Sequence, residues 1–424
     1  MLTIVASAIN GTTAAADETK SWEVVTHTEI SRPSTKAGVS QLPAQDSTSA
    51  PRARQDQIPQ ESPTEILERA KAAKKFREMS AQADNKQRSA RAYPPVSADE
   101  CQEVEGADRP EGVVLDHNYW CHTGDYKLAT MVCTATGCKE KSHFRYRLNT
   151  LGTVKSGARS VAFVSSIKTI SIREGEPGFK NRVVTLDMKC TKSTGSTCKG
   201  DPLNKQGQSI SKWLASPSAY FTLSSPETGS INTDKVSWHE FAATSTLDGG
   251  DTKPVPTGAN SFRCDSATYA GTHSGCVYDK TTELFYDMDV ADPEVNETAQ
   301  HIIDAQTGRV PTFPDWAGKT VPGSALSGKP LTRVFHDKAQ RDANHRQAVK
   351  TCKEHFGADY ASRGLECDEY PFQSTTQGAA SGDNKYSARA LDGGDNGRGG
   401  TKLGQFYTRQ RVLDGDAFYV LVVQ

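Results

Sequence analysis

The sequence predicts an α+β chain in three parts: a tail without a core of its own, a mostly antiparallel β module, and a C-terminal unit that runs strand, strand, helix. Three observations lead there. Residues 17–98 are rich in Ser, Thr, Gln, Pro and Ala and almost lack aromatic residues. All ten cysteines lie between Cys101 and Cys367. Near Ala299 the texture changes from short β-branched runs to helical spacing.

The 424 residues carry a net charge of −1, 35 % hydrophobic residues and a mean hydropathy of −0.61. That allows two or three domains but supplies too few apolar residues for one core throughout. No stretch reaches the roughly 18 to 20 consecutive apolar residues of a membrane-spanning helix. The near-zero charge excludes a uniformly basic coat for nucleic acid and leaves only local basic faces.

Taken in order, residues 1–16 read as the remnant of a signal peptide: Leu2, Ile4, Val5, Ala6, Ala8 and Ile9 precede Ala14, Ala15 and Ala16, without a basic start. An ordinary apolar tail is the other reading. Residues 17–98 bury too little to offset the entropy of ordering and are expected to be a disordered tail. Inside it, Ser62-Pro63-Thr64-Glu65 is a capping box that opens a short helix through Ile66, Leu67, Ala70, Ala73 and Phe76. Lys71, Lys74, Lys75 and Arg77 form its other, solvated face.

The cysteines fall largely in close pairs, Cys133 with Cys138, Cys190 with Cys198, Cys264 with Cys276 and Cys352 with Cys367. Mostly local disulfides and an oxidising compartment are therefore expected. A zinc site from Cys133, Cys138, His122 and His143 is the rival, but no CxxC pair is present. In the β module, residues 99–298, the runs His143–Leu148, Val161–Val164, Ile167–Ile172, Val183–Met188, Tyr220–Leu223 and Val236–Phe241 read as strands. No catalytic constellation stands out there. Trp238-His239-Glu240 alternates as a strand does, so His239 and Glu240 face opposite sides and a structural role is expected.

From residue 299 to 424 the sequence predicts a basic helix from Asp337 to Phe356 with Gly357 as its stop. A strand follows at Glu366–Phe372 and a second at Tyr386–Ala390. A Gly-rich turn, Leu391–Gly400, then leads to a helix over Thr401–Arg409 and a last strand at Ala417–Val423. Leu-Asp-Gly-Gly-Asp occurs at both 247–251 and 391–395, which marks its first four residues as turn chemistry. As a calcium loop it lacks acids at alternate positions.

Cys367-Asp368-Glu369-Tyr370-Pro371-Phe372, Asp395-Asn396, the glycines up to Gly404 and Leu413-Asp414-Gly415-Asp416 together resemble the NucA/NucB family of secreted bacterial deoxyribonucleases. Pro330-Leu331-Thr332-Arg333 and the Cys352/Cys367 pair fit its actinobacterial members. The resemblance covers roughly the last 125 residues and leaves the β module unexplained. It implies a ββα-metal fold and a secreted endonuclease that cuts DNA with little sequence preference, RNA being left open, with one divalent ion, Mg2+ or Mn2+. By the same resemblance Asp368 is the general base and Glu369 a supporting group. Adjacent strand residues face opposite ways, so only one of the two enters the site unless a bulge intervenes. Asn396 is the first candidate for the metal or for orienting the phosphate, then Asp395, with Gln405 a weaker one. Gln377 stands where the family commonly has an acid. Arg398 and Lys402 flank the proposed ion, and Arg341, Arg346 and Lys350 recur along the basic helix, as candidates for gripping phosphates. The competing readings are a non-catalytic extracellular binding protein that keeps a nuclease-like fold, and a nuclease toxin.

Overall fold

Long β-branched and aromatic runs build strands here, and their alternation decides which face is buried. The computed structural model describes residues 22–29, 63–86, 97–154, 157–248, 255–271, 273–279, 285–308 and 310–423. Residues 1–16 and the Ser62 cap lie outside them. The first elements are β1 (Trp22–Glu29) and α1 (Pro63–Lys86). Next come β2 (Val113–Asp116), β3 (Tyr119–Thr134), β4 (Gly137–Val154), β5 (Ser160–Arg173), β6 (Val183–Thr194), β7 (Lys199–Gly200) and β8 (Lys205–Ser209). After α2 (Ile210–Ala215) the module ends with β9 (Ser218–Ser224), β10 (Ser237–Leu247), β11 (Val255–Pro256), β12 (Asn260–Asp265) and β13 (Gly275–Val277).

These strands form two antiparallel sheets, ordered β1-β3-β4-β5-β9-β7 with β2 on β3, and β13-β12-β10-β6-β8 with β11 on β10. Trp120, Tyr146, Phe163, Phe221 and Phe241 fill the space between them. Every run read as a strand in the β module lies in or against one of these strands. Cys101–Cys121, Cys133–Cys138, Cys190–Cys198 and Cys264–Cys276 are disulfides, so zinc is not their partner.

Two expectations for the tail are corrected. Trp22–Glu29 is a strand paired along its length with β3, in keeping with its β-branched Val24, Val25, Thr26 and Thr28. The helix at Pro63 is not a short solvated one: it runs to Lys86 and buries Ala73 and Phe76 against Ala98, Cys101, Val113, Leu115 and Cys121 on the outer face of the first sheet. Arg77 also reaches Asp116, Nη1 to Oδ2 at 2.7 Å.

The C-terminal unit contains β14 (Phe285–Asp289), α3 (Asn296–Thr307), β15 (Leu331–Thr332), α4 (Lys338–Phe356), β16 (Leu365–Tyr370), β17 (Ser387–Asp392), α5 (Gly393–Arg409) and β18 (Ala417–Val423). Because β14 lies parallel to β18, the unit begins by Phe285, and a boundary at residue 299 cuts through α3. The hairpin β16–β17 followed by α5 reproduces the strand, strand, helix order. The Gly-rich turn differs from expectation, since α5 starts at Gly393 and not at Thr401. Asp392 caps it by accepting from Asp395 N at 3.0 Å, and Gly399 lets α5 pack closely on α3, since a Cβ there would stand a tight 3.0 Å from the Thr298 side chain.

The two units meet along a seam that joins a small apolar cluster, Val236, Ala267, Ala270 and Leu413, to a set of polar contacts. Arg263 of the β module donates to Asp416 at 2.7 Å, and Arg411 of the C-terminal unit forks onto Asp265 at 2.6 and 2.8 Å. His117 Nδ1 donates to the carbonyl of Gln410 at 2.5 Å, and the Arg333 guanidinium lies between the rings of Tyr407 and Tyr269.

Candidate active site

In the hairpin, Cys367 pairs with Ala390, Asp368 with Arg389 and Glu369 with Ala388. Alternation puts Glu366, Asp368 and Tyr370 on one face and Leu365, Cys367 and Glu369 on the other. Cys367 is disulfide-bonded to Cys352 of α4, so α4 covers the second face, where Ala348, Cys352, Tyr360, Tyr386 and Ala388 pack. The first face is covered by α3 and α5.

Asp368 is 8 % exposed and faces α3, where its Oδ2 lies 2.6 Å from His301 Nδ1. The other ring nitrogen, Nε2, lies 2.7 Å from Ser387 Oγ on β17. With Nδ1 protonated, His301 donates to the carboxylate and accepts from the hydroxyl, and every polar atom of the buried ring is used. Ser, His and Asp meet here as in a hydrolase triad, but Ser387 is 0 % exposed and no substrate carbonyl or phosphorus can reach it. One turn on, Asp304 accepts from Arg389 at 2.8 Å, and Gln306 donates to the Tyr370 hydroxyl at 2.7 Å.

Glu369, on the other face, is partly buried and accepts from Gln373 N at 3.3 Å. Burial first, and the neighbouring Asp368 carboxylate second, push its carboxyl up to about 8. The hairpin therefore separates the two acids. Gln377 serves a structural contact, its side-chain oxygen accepting from Thr332 N at 2.9 Å.

The expected metal ligands do not converge. Among the described residues no three His, Cys, Asp or Glu side chains are placed to hold an ion. Asp395 does not fit one, because its two carboxylate oxygens accept from Glu297 N at 3.0 Å, Thr298 N at 2.9 Å and Thr298 Oγ1 at 2.6 Å. It thereby satisfies the open N-terminus of α3, whose preceding residue, Val295, has no capping side chain. Gln405 is exposed and, at 1.5 Å per residue, about 13 Å along the helix from Asn396, too far to share an ion with it directly. Asn396 fits better. Its Nδ2 donates to Glu366 Oε2 at 3.0 Å, which leaves the amide oxygen and the exposed Glu366 carboxylate as hard donors on the Asp368 face.

The cations divide the same way. Lys402 is paired with Asp292, holding that carboxyl below its usual range, and Arg398 donates to the carbonyl of Glu294 at 2.7 Å. Both belong to the Asp368 face. Arg341, Arg346 and Lys350 sit on α4, across the hairpin from Asp368. There the Arg341 guanidinium lies 5.4 Å from the Phe335 ring centre, and Lys350 approaches Glu354 at 3.9 Å. They do not join Arg398 and Lys402 around one centre.

Sequence reasoning missed His301, Ser387, Arg389 and Glu366. A signal existed in α3, where Thr298, His301 and Asp304 recur on one side among Ala299, Ile302, Ile303 and Ala305, polar residues in positions that a helix normally fills with core. No curated protein and no solved structure matches the chain. Residues 327–421, which include Asp368, Asn396 and the Cys352–Cys367 pair and exclude β14 and α3, match the model of the family Deoxyribonuclease NucA/NucB.

Proposed function

We propose that the C-terminal unit is a secreted, metal-dependent endonuclease that hydrolyses DNA phosphodiesters with little sequence preference, and that Asp368 is the base that deprotonates the attacking water. The observation that carries this reading is the position of Asp368: it lies in the matched segment, on the hairpin face that α5 flanks with Asn396, and is aimed by a ring nitrogen at 2.6 Å. A carboxylate fixed in this way loses little freedom when a water is presented to it.

A divalent ion, Mg2+ or Mn2+, would be held by the Asn396 amide oxygen and the Glu366 carboxylate, with water completing its shell; when bound it would offset phosphate charge. Arg398 and Lys402 lie on the side of α5 turned away from Asn396, toward Glu294 and Asp292, and supply cations to the phosphate backbone once it displaces Asp292 and the Glu294 carbonyl. Five disulfides support an oxidising, extracellular setting, and no described helix is long and apolar enough to cross a membrane.

The test is nicking of supercoiled plasmid by the whole chain, with and without EDTA, beside Asp368→Asn. Loss of about a hundredfold or more in the variant, with an unchanged melting temperature, is expected. Cleavage within a few-fold of the unsubstituted chain would remove Asp368 as the base.

A further inference from the structure

The three buried polar side chains of α3 each reach groups of the hairpin or α5. Thr298 bonds Asp395, His301 bonds Asp368 and Ser387, and Asp304 bonds Arg389, the residue opposite Asp368 across the strands. Burying three polar residues in one short helix costs stability unless each is matched, and each is. An apolar helix would cover the same face at less risk. What apolar residues cannot do is hold a carboxylate in one rotamer.

We infer that His301, carried by a helix outside the segment matched to the family, is a positioning residue for Asp368, and that the functional nuclease unit therefore starts by Phe285 and not at residue 327. The inference rests on the nuclease reading above. His301 is 0 % exposed and touches no substrate; it acts through the carboxylate. Ser387 fixes the imidazole from behind, so that Nδ1 is the nitrogen presented to Asp368. Without that donor the Asp368 side chain is free to rotate, and its oxygen no longer faces a fixed direction.

Two polar substitutions separate the role from mere packing. In His301→Asn the amide nitrogen occupies nearly the place of Nδ1 and keeps the bond to Asp368; in His301→Gln the amide extends toward Ser387 and the bond to Asp368 is lost. Plasmid cleavage by the whole chain should show kcat within about threefold of the unsubstituted chain for His301→Asn and about 10- to 100-fold lower for His301→Gln, with KM nearly unchanged in both. In an Asp368→Asn background, His301→Gln should cause no further loss, because the group it positions is already gone.

Equal kcat values for the two His301 variants, or a full additional loss in the Asp368→Asn background, would overturn the positioning role. An unsubstituted chain that cuts, an Asp368→Asn variant that does not, and a His301→Gln variant with normal kcat would overturn it while leaving the nuclease reading intact. A chain that leaves plasmid uncut with Mg2+ or Mn2+ overturns the nuclease reading, and the positioning role falls with it.

Discussion

Replacing Arg411 with Met should destabilise the chain by about 3–5 kcal/mol, the usual cost of removing one partner of a buried ion pair. Arg411 is 9 % exposed and Asp265 0 %. The guanidinium makes a fork of 2.8 Å from Nε and 2.6 Å from Nη2 to the two Asp265 oxygens, and Nη1 donates to the carbonyl of His273 at 2.8 Å. Methionine fills much the same space but supplies none of these donors, so a buried carboxylate keeps only the amide of Ala267 at 3.0 Å as a hydrogen-bond partner, with Arg263 and Arg159 as its nearby cations. The double variant Arg411→Met, Asp265→Asn removes the stranded charge and should recover about half of the loss. Urea unfolding without reductant, followed by tryptophan fluorescence, measures both. A single substitution that costs under about 1 kcal/mol, or a double variant no more stable than the single, would refute the view that desolvated charge pairing holds the two units together.

Two further outcomes are expected. Glu369, pushed up from 4.5 to about 8, stays protonated in the folded chain while the unfolded chain has released its proton, so its contribution is fully present below about pH 4.5 and is lost as pH rises toward 8. At 1.36 kcal/mol per pH unit the ceiling is about 4–5 kcal/mol, and partial exposure with the Gln373 amide contact reduces it to about 2; Glu369→Gln should gain that much on the unsubstituted chain between pH 5 and pH 8, and parallel stability curves would contradict it. Replacing Arg398 and Lys402 together with Ala should weaken binding to unrelated duplexes alike and flatten the slope of log affinity against log salt by about one to two units; measured in calcium or EDTA, an unchanged slope would place the phosphate track elsewhere.

Much of the C-terminal unit was legible because its signals are local. Asp337 caps α4, Gly357 ends it at φ 91°, and Ala417–Val423 is a continuous apolar run that became β18. Asp368 stood out as a candidate through its neighbours Glu369, Tyr370 and Pro371. His301 did not, since its partners lie 67 and 86 residues away and nothing beside it in sequence marks it. Asp395 misled for the same reason: its proximity to Asn396 is local, whereas its bonds to Glu297 and Thr298 come from a helix about a hundred residues earlier. The start of α5 was read as a turn because glycine disfavours helix, while the Asp392 cap and the close approach of Thr298 at Gly399 are tertiary facts that outweigh propensity.

The parallel pairing of β14 with β18 has a practical consequence for anyone who would shorten this chain. A fragment trimmed to residues 327–421 would lose Met288, Val295, Ala299, Ile302 and Ala305, and would bare the Leu403, Phe406 and Phe418 surfaces that pack in the same cluster. It would also leave what remains of β18, Ala-Phe-Tyr-Val-Leu, as a strand with one side unpaired, a sticky apolar rim of the kind on which other chains build. The limits of family likeness and the limits of the packed unit are thus different lines on this chain, and the second runs at least 42 residues before the first (327 − 285).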